Sequence, residues 1–196
     1  MRGISTQLLS RLCAKRRLLA SDDASQLMEF AVSLPLLVVL VVGIFDFGRA
    51  FNLKHQLTNA ARDGARFGAN LPASDFTAPG VPNSVVSVKD IVDSYLVASG
   101  VSDCGLGSLG GGGATFTWTA TGSGCPGGTL TLTVERAYIF KPSAGPNTNV
   151  NMICTHVTLS YPFQWRFGAA IQMLVPGSTY GGLVQITADA VMPNMQ

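Results

Sequence analysis

Between Phe30 and Phe45 the chain reads FAVSLPLLVVLVVGIF, without one charged residue, and the helical pattern continues where that run stops. At 1.5 Å per residue the run spans roughly 24 Å of helix, slightly less than a hydrocarbon core. Leu27, Met28 and the stretch from Phe47 to Phe51 extend it. Pro35 would break a soluble helix, but a membrane helix tolerates it because neighbouring groups satisfy the freed carbonyl. After the run, Phe47, Ala50, Phe51, Leu57, Ala60, Ala61, Gly64, Ala65 and Gly68 recur close to a 3.6-residue period. Asp46 with Arg49, and Asp63 with Arg66, are pairs three apart on one face. Residues 22–69 therefore read as one helix that starts in a membrane and emerges into water. Its lower part carries a small-residue stripe suited to close packing between subunits.

One carboxylate, Glu29, stands at the start of the apolar run. A carboxylate in the bilayer interior costs roughly 2.5 kcal/mol or more without a partner, so the position calls for a cation at the same depth. A basic leader with Arg2, Arg11, Lys15, Arg16 and Arg17 precedes it, against Arg49, Lys54 and Arg62 on the far side. The bias is slight and favours an N-terminus in the cytoplasm with residues 50–196 outside. A removable secretory signal would end in a small-residue cleavage site; here the helical pattern runs on instead.

Charged residues make up 12% of the chain, about half the share usual for a soluble domain. A net charge of +2 with no basic stripe excludes a nucleic-acid binder. Of the four cysteines, Cys13 lies in the leader and Cys104, Cys125 and Cys154 lie beyond the anchor. An odd number outside allows at most one internal disulfide. Cys104 and Cys125 bracket a Gly-rich excursion and are the expected pair, three free thiols being the alternative.

The segment SQLMEFAVSLPLLVVLVVGIFDFGRAF followed by LTNAARDGARFGA resembles the N-terminal helix of TadE-like proteins, pseudopilins of the tight-adherence (Flp, type IVb) pilus machinery. The resemblance rests on Glu29-Phe30, Leu34-Pro35, Asp46-Phe47-Gly48-Arg49, Asn59-Ala60-Ala61-Arg62 and Gly64-Ala65-Arg66. It implies cleavage by a prepilin peptidase between Ala24 and Ser25, which would make Glu29 the fifth residue of the mature chain. In the family a glycine usually precedes the cut; here Ala24 stands there. The resemblance further implies that Glu29 neutralises an N-terminal ammonium during assembly. The implied partners are other pilin or pseudopilin subunits, the Tad inner-membrane platform, the peptidase and membrane lipid.

Residues 70–87 read as a Pro- and Ser-rich linker, and 88–99 as a short helix capped by Ser87 and stopped at Gly100. Strand alternation follows in 114–121, 129–140, 151–163 and 183–192. The expected fold is α+β. A long transmembrane and stem helix (25–69) follows a basic leader (1–24) and precedes a pilin-like antiparallel sheet of about four strands with one short helix (88–196). The apolar stretch 162–176 either covers the open end of the core or offers an exposed docking patch.

Gly105 to Gly110 satisfy GxGxxG without the strand and helix that a dinucleotide site needs. Cys154 and His156 share a strand face, but further ligands are lacking, so no metal and no cofactor is expected. No pair of carboxylates or nucleophile with a base emerges, so an enzyme and a small-molecule substrate are not expected. The chain reads as a single-pass bacterial inner-membrane protein with a periplasmic domain, a minor pseudopilin-like component of Tad pilus assembly or a related secretion machine. The alternatives are an uncleaved membrane-tethered binding module and, further off, a secreted hydrolase.

Overall fold

The computed structural model describes residues 22–77, 80–141, 150–168, 171–172, 176–177 and 182–195. Most of the leader, with Cys13, and Met173 and Leu174 of the apolar stretch lie outside these residues. Helix α1, Asp22–Ala69, runs unbroken for 48 residues, about 70 Å. From Ser25 to Phe45 none of its side chains is buried, and Asp46 is the first that is. The upper part is a free stem; the lower part is a wall of the head.

A 3₁₀ turn, Ser74–Thr77, leads to α2, Asn83–Ala98. This helix begins five residues before the expected start. Pro82 is its N-cap, with a φ of −60° that suits a helix start. The free amide of Ser84 donates to Asp75 Oδ2 at 2.8 Å, and Ser84 Oγ donates to Oδ1 at 3.1 Å, so a carboxylate from the preceding turn does the capping. Ser87, expected as the cap, bonds back to the Asn83 carbonyl as a mid-helix serine does. The helix stops where expected. Gly100 has a φ of +76°, and the amides of Gly100 and Val101 return to Val97 and Leu96, closing a Schellman turn.

The sheet is an antiparallel meander in the order β1 (Gly110–Gly111), β2 (Thr117–Gly122), β3 (Leu130–Phe140), β4 (Met152–Phe163) and β5 (Val184–Pro193). It has five strands where about four were expected. The extra one is two glycines paired with Trp118 and Thr119, and glycines show no side-chain alternation. A β-carbon on Gly112 would lie 2.5 Å from Trp118 Nε1, so only glycine lets this edge cross the indole. Strand β2 also starts later than expected, because Gly113–Thr115 form a 3₁₀ turn and Phe116 is left-handed at a φ of +49°.

The core lies between the sheet and the two helices. Leu57, Ala61, Val88, Val92, Leu132, Val157, Leu159 and Ala188 are fully buried there. Lys54 of α1 donates to the Thr187 carbonyl of edge strand β5, tying the stem to the sheet by a polar contact as well. The β3–β4 pairing breaks between Glu135 and Tyr138, where Arg136 and Ala137 oppose a single residue, Thr155.

Candidate functional site

The stem is exposed in a way water would not tolerate. Leu27, Val32 and Leu36 are 70%, 75% and 76% exposed, and Phe30, Ile44 and Phe45 are exposed as well. A helix that is apolar all round and packs on nothing belongs in lipid. Its length and composition suffice to cross a bilayer, and it fits a single-pass membrane anchor. Pro35 sits within the helix without ending it.

Glu29 lies in a shallow apolar groove with Met28, Val32, Ser33 and Leu36. Among the described residues it has no cationic partner. The Ala24–Ser25 bond falls in the first turn of α1. Phe30 is exposed one residue further on.

Asp46, Phe47 and Arg49 meet at the junction of stem and head. Asp46 is fully buried, accepts from Arg49 Nη1 at 3.3 Å and accepts the Phe167 amide at 3.2 Å. Phe47 meets the Trp165 ring edge-on at 5.3 Å, and Trp165 meets Phe163 at 5.1 Å. The Arg49 guanidinium lies 5.4 Å from the centre of the Phe163 ring. Burial is free to proceed because the carboxylate receives two donors and the cation an aromatic face. The part of the 162–176 stretch that the structure describes is thus folded onto the stem: Phe163 and Ile171 are buried, and Phe167 remains partly exposed. Gly48 has open space around it.

The small-residue stripe serves a different partner from the one expected. Ala60, Ala61, Gly64, Ala65 and Gly68 are buried in this chain's own core rather than offered to another subunit. A β-carbon on Gly64 would stand 2.6 Å from Val92 Cγ2, and one on Gly68 would stand 2.9 Å from Val88 Cγ2. The stripe lets α2 approach α1. Asn59, Arg62 and Arg66 line the opposite, exposed face.

Cys104 and Cys125 form a disulfide with their Cα atoms 4.7 Å apart, and Cys154 is a buried free thiol. Burial raises the Cys154 pKa above the usual thiol range. His156 does not share a ligand set with Cys154. Its Nδ1 lies 2.8 Å from Glu135 Oε2 and its Nε2 lies 3.2 Å from Thr158 Oγ1. Among the described residues no three metal-ligating side chains come together. Two functional-looking residues escaped the sequence reading, Asp75 and Arg136. The second had a signal, since it continues the even-numbered, core-facing positions Leu130, Leu132 and Val134.

An exposed apolar stem continuous with a helix that builds the core of an α+β head fits one class, the membrane-anchored proteins whose anchor and head share one helix. Residues 24–66 match the family described as TadE-like proteins, which points to a component related to the Tad pilus. No curated protein and no solved structure matches the chain.

Proposed function

We propose that the protein is a minor pseudopilin-like component of Tad pilus assembly or a related secretion machine, anchored in the bacterial inner membrane with its N-terminus in the cytoplasm and its head in the periplasm. One observation carries this reading: between Ser25 and Phe45 the stem is left unburied by its own head and holds one carboxylate, Glu29, inside the TadE-like segment. The protein is not an enzyme. A prepilin peptidase cuts it between Ala24 and Ser25, and Glu29 then pairs with an N-terminal ammonium, its own or a neighbour's. That pairing offsets the cost of a carboxylate in lipid. Subunit packing uses the apolar stem, since the small-residue stripe is already occupied. Gly43 and Gly48, both with open space around them, let another helix approach.

N-terminal sequencing of the membrane-extracted protein tests the reading. A start at Ser25 supports it, and a start at residue 1 makes the chain an uncleaved tethered module. Glu29→Ala should insert normally and fail to assemble. Normal assembly of that variant would remove the charge-pair role.

A further inference from the structure

At the far end of the head from the stem lies a cavity of about 300 Å³. Asn70, Leu71 and Pro72 from the turn after α1, Asn194 and Met195 from the end of β5, and Arg136 form its walls. Among the described residues Arg136 is its one charged residue, and it is 1% exposed. Plain alternation with Leu130, Leu132 and Val134 puts this arginine on the core side of the sheet, where the register calls for an apolar residue, and the β3 bulge begins beside it.

Arginine stays protonated at any physiological pH, so the burial is of a full charge. Its partners fall short of what such burial needs. Nη2 donates to the Leu71 carbonyl at 2.9 Å, and the guanidinium lies 5.2 Å from the centre of the Phe76 ring. Among the described residues Nε and Nη1 have no partner. The nearby carboxylate, Asp75, is held by Ser84 and forms no ion pair with it. The Asn194 side chain is also committed, donating to the Arg136 carbonyl and accepting from Thr155. Arg136 thus lines a cavity and carries two buried, idle donor nitrogens, a half-built ion pair that a turn of the side chain toward the cavity would complete.

We propose that this cavity is a binding site for a carboxylate, which completes the coordination of Arg136. A single guanidinium without a second cation suits a small monovalent anion rather than a phosphate, and its planar donors match a carboxylate. The carboxylate comes either from a polypeptide, as an acidic side chain or chain end, or from a free small acid. Ile139 and Ile153, on the same sheet face beyond the end of α1, are 58% and 52% exposed, and Met195 at the cavity wall is 77% exposed. Those apolar groups would favour the polypeptide source. The site does not depend on cleavage at Ala24 or on the stem entering a filament.

The test uses the full chain in detergent micelles with ¹⁵N-labelled arginine. The Nε–H resonance of Arg136, identified by its contact with the Phe76 ring and by its loss in Arg136→Lys, is followed during titration. The probes are sodium acetate, sodium chloride at equal ionic strength, and a short apolar peptide as its C-terminal acid and as its amide. A saturable shift with acetate that chloride does not give supports the site. An acid peptide about tenfold tighter than acetate, with the amide inactive, assigns the polypeptide source. Equal or weaker binding of the peptide assigns the free acid. No saturable shift with acetate or acid peptide, or an equal shift with chloride, overturns the proposal. The readout is on the unaltered chain, so it stands even if the lysine variant fails to fold.

Discussion

Asp46 Oδ2, on the stem helix, accepts the backbone amide of Phe167, which lies 121 residues further along the chain, at 3.2 Å. This contact sits where burial begins on α1. It joins the end of the exposed stem to the segment that follows the fourth strand, with Trp165 stacked edge-on against Phe47 beside it. The head is held at a set height on its stem by a buried charge and not only by apolar contact.

Removing that acceptor should free the segment. Asp46→Ala leaves the Phe167 amide and the Arg49 guanidinium without their carboxylate and should cost about 1–3 kcal/mol. Asp46→Asn keeps a carbonyl oxygen for the amide, loses the charge opposite Arg49 and should cost less. Hydrogen exchange of the full chain in micelles checks this: the Phe167 amide should exchange faster in Asp46→Ala than in Asp46→Asn. Equal protection in all three proteins would show that the apolar contacts alone hold the segment.

Two glycines of α1 should respond in opposite directions to one methyl group. At Gly64 the added carbon meets Val92 Cγ2 at 2.6 Å, with Val88 and Val157 at 3.6 and 3.8 Å, all three fully buried. Valine has little rotameric freedom to yield, so overpacking should cost about 1–3 kcal/mol. The helix propensity gained returns only about 0.5–1 kcal/mol, leaving Gly64→Ala destabilised. Gly48 has open space around it, so Gly48→Ala should be neutral or slightly stabilising in the isolated chain. Thermal unfolding in detergent, followed by circular dichroism, reads both. A stabilised Gly64→Ala would mean that α2 can move away from α1.

Much of the architecture was legible because it is written in side-chain periodicity. The uncharged run and the 3.6-residue recurrence marked α1, and alternation marked β2 to β5 within a few residues. What escaped depends on partners distant in sequence or on residues without side chains. The glycine strand β1 has no alternation to read. The start of α2 is capped by Asp75, eight residues before Asn83, while Ser87 offers a nearer cap in sequence that the fold does not use. A stripe of small residues signals close approach but not whose helix approaches; Ala60, Ala61 and Gly64 would look the same facing another subunit. Arg136 sat in plain alternation with Leu130, Leu132 and Val134, and its charge argued against the burial that its position required. The match over residues 24–66 covers the stem and most of the α1 wall of the head, and it reaches neither α2 nor the sheet.

The disulfide should contribute measurably to the stability of the head. It closes a loop with a sequence separation of 21, for which the chain-entropy estimate is about 3 kcal/mol. The bond also sits in a tight place: β-carbons on Gly122 and Gly124 would each lie 2.9 Å from the Cys104 carbonyl oxygen. Reduction, or the Cys104→Ala/Cys125→Ala double variant, should therefore lower Tm, while Cys154→Ala should not reproduce that loss through loop closure. Under native conditions Cys154, buried and with its pKa raised by desolvation, should label slowly with a thiol reagent and quickly after unfolding. An unchanged Tm on complete reduction would show that the loop is held by packing without the bond.

Asp93 on α2 should make stability fall as pH rises through the acid range. Burial raises its pKa above 3.8, repulsion from Asp103 and Asp90 adds to the rise, and Lys89 opposes it. Its Oδ1 atom is buried without a hydrogen-bond partner among the described residues. The folded chain therefore keeps this proton to higher pH than the unfolded chain does. Below 3.8 both states hold it, and the side chain carries no charge penalty. Above that value the unfolded state ionises first, and the fold loses stability until its own carboxyl has ionised as well. At neutral pH the charge is a standing cost, on the order of 1 kcal/mol or less for a partly shielded side chain. Asp93→Asn should match the parent at low pH and exceed it at neutral pH. Thermal unfolding of both proteins in the same detergent across that range checks the sign; a variant less stable than the parent at neutral pH would show that the Asp93 charge is stabilised by Lys89 after all.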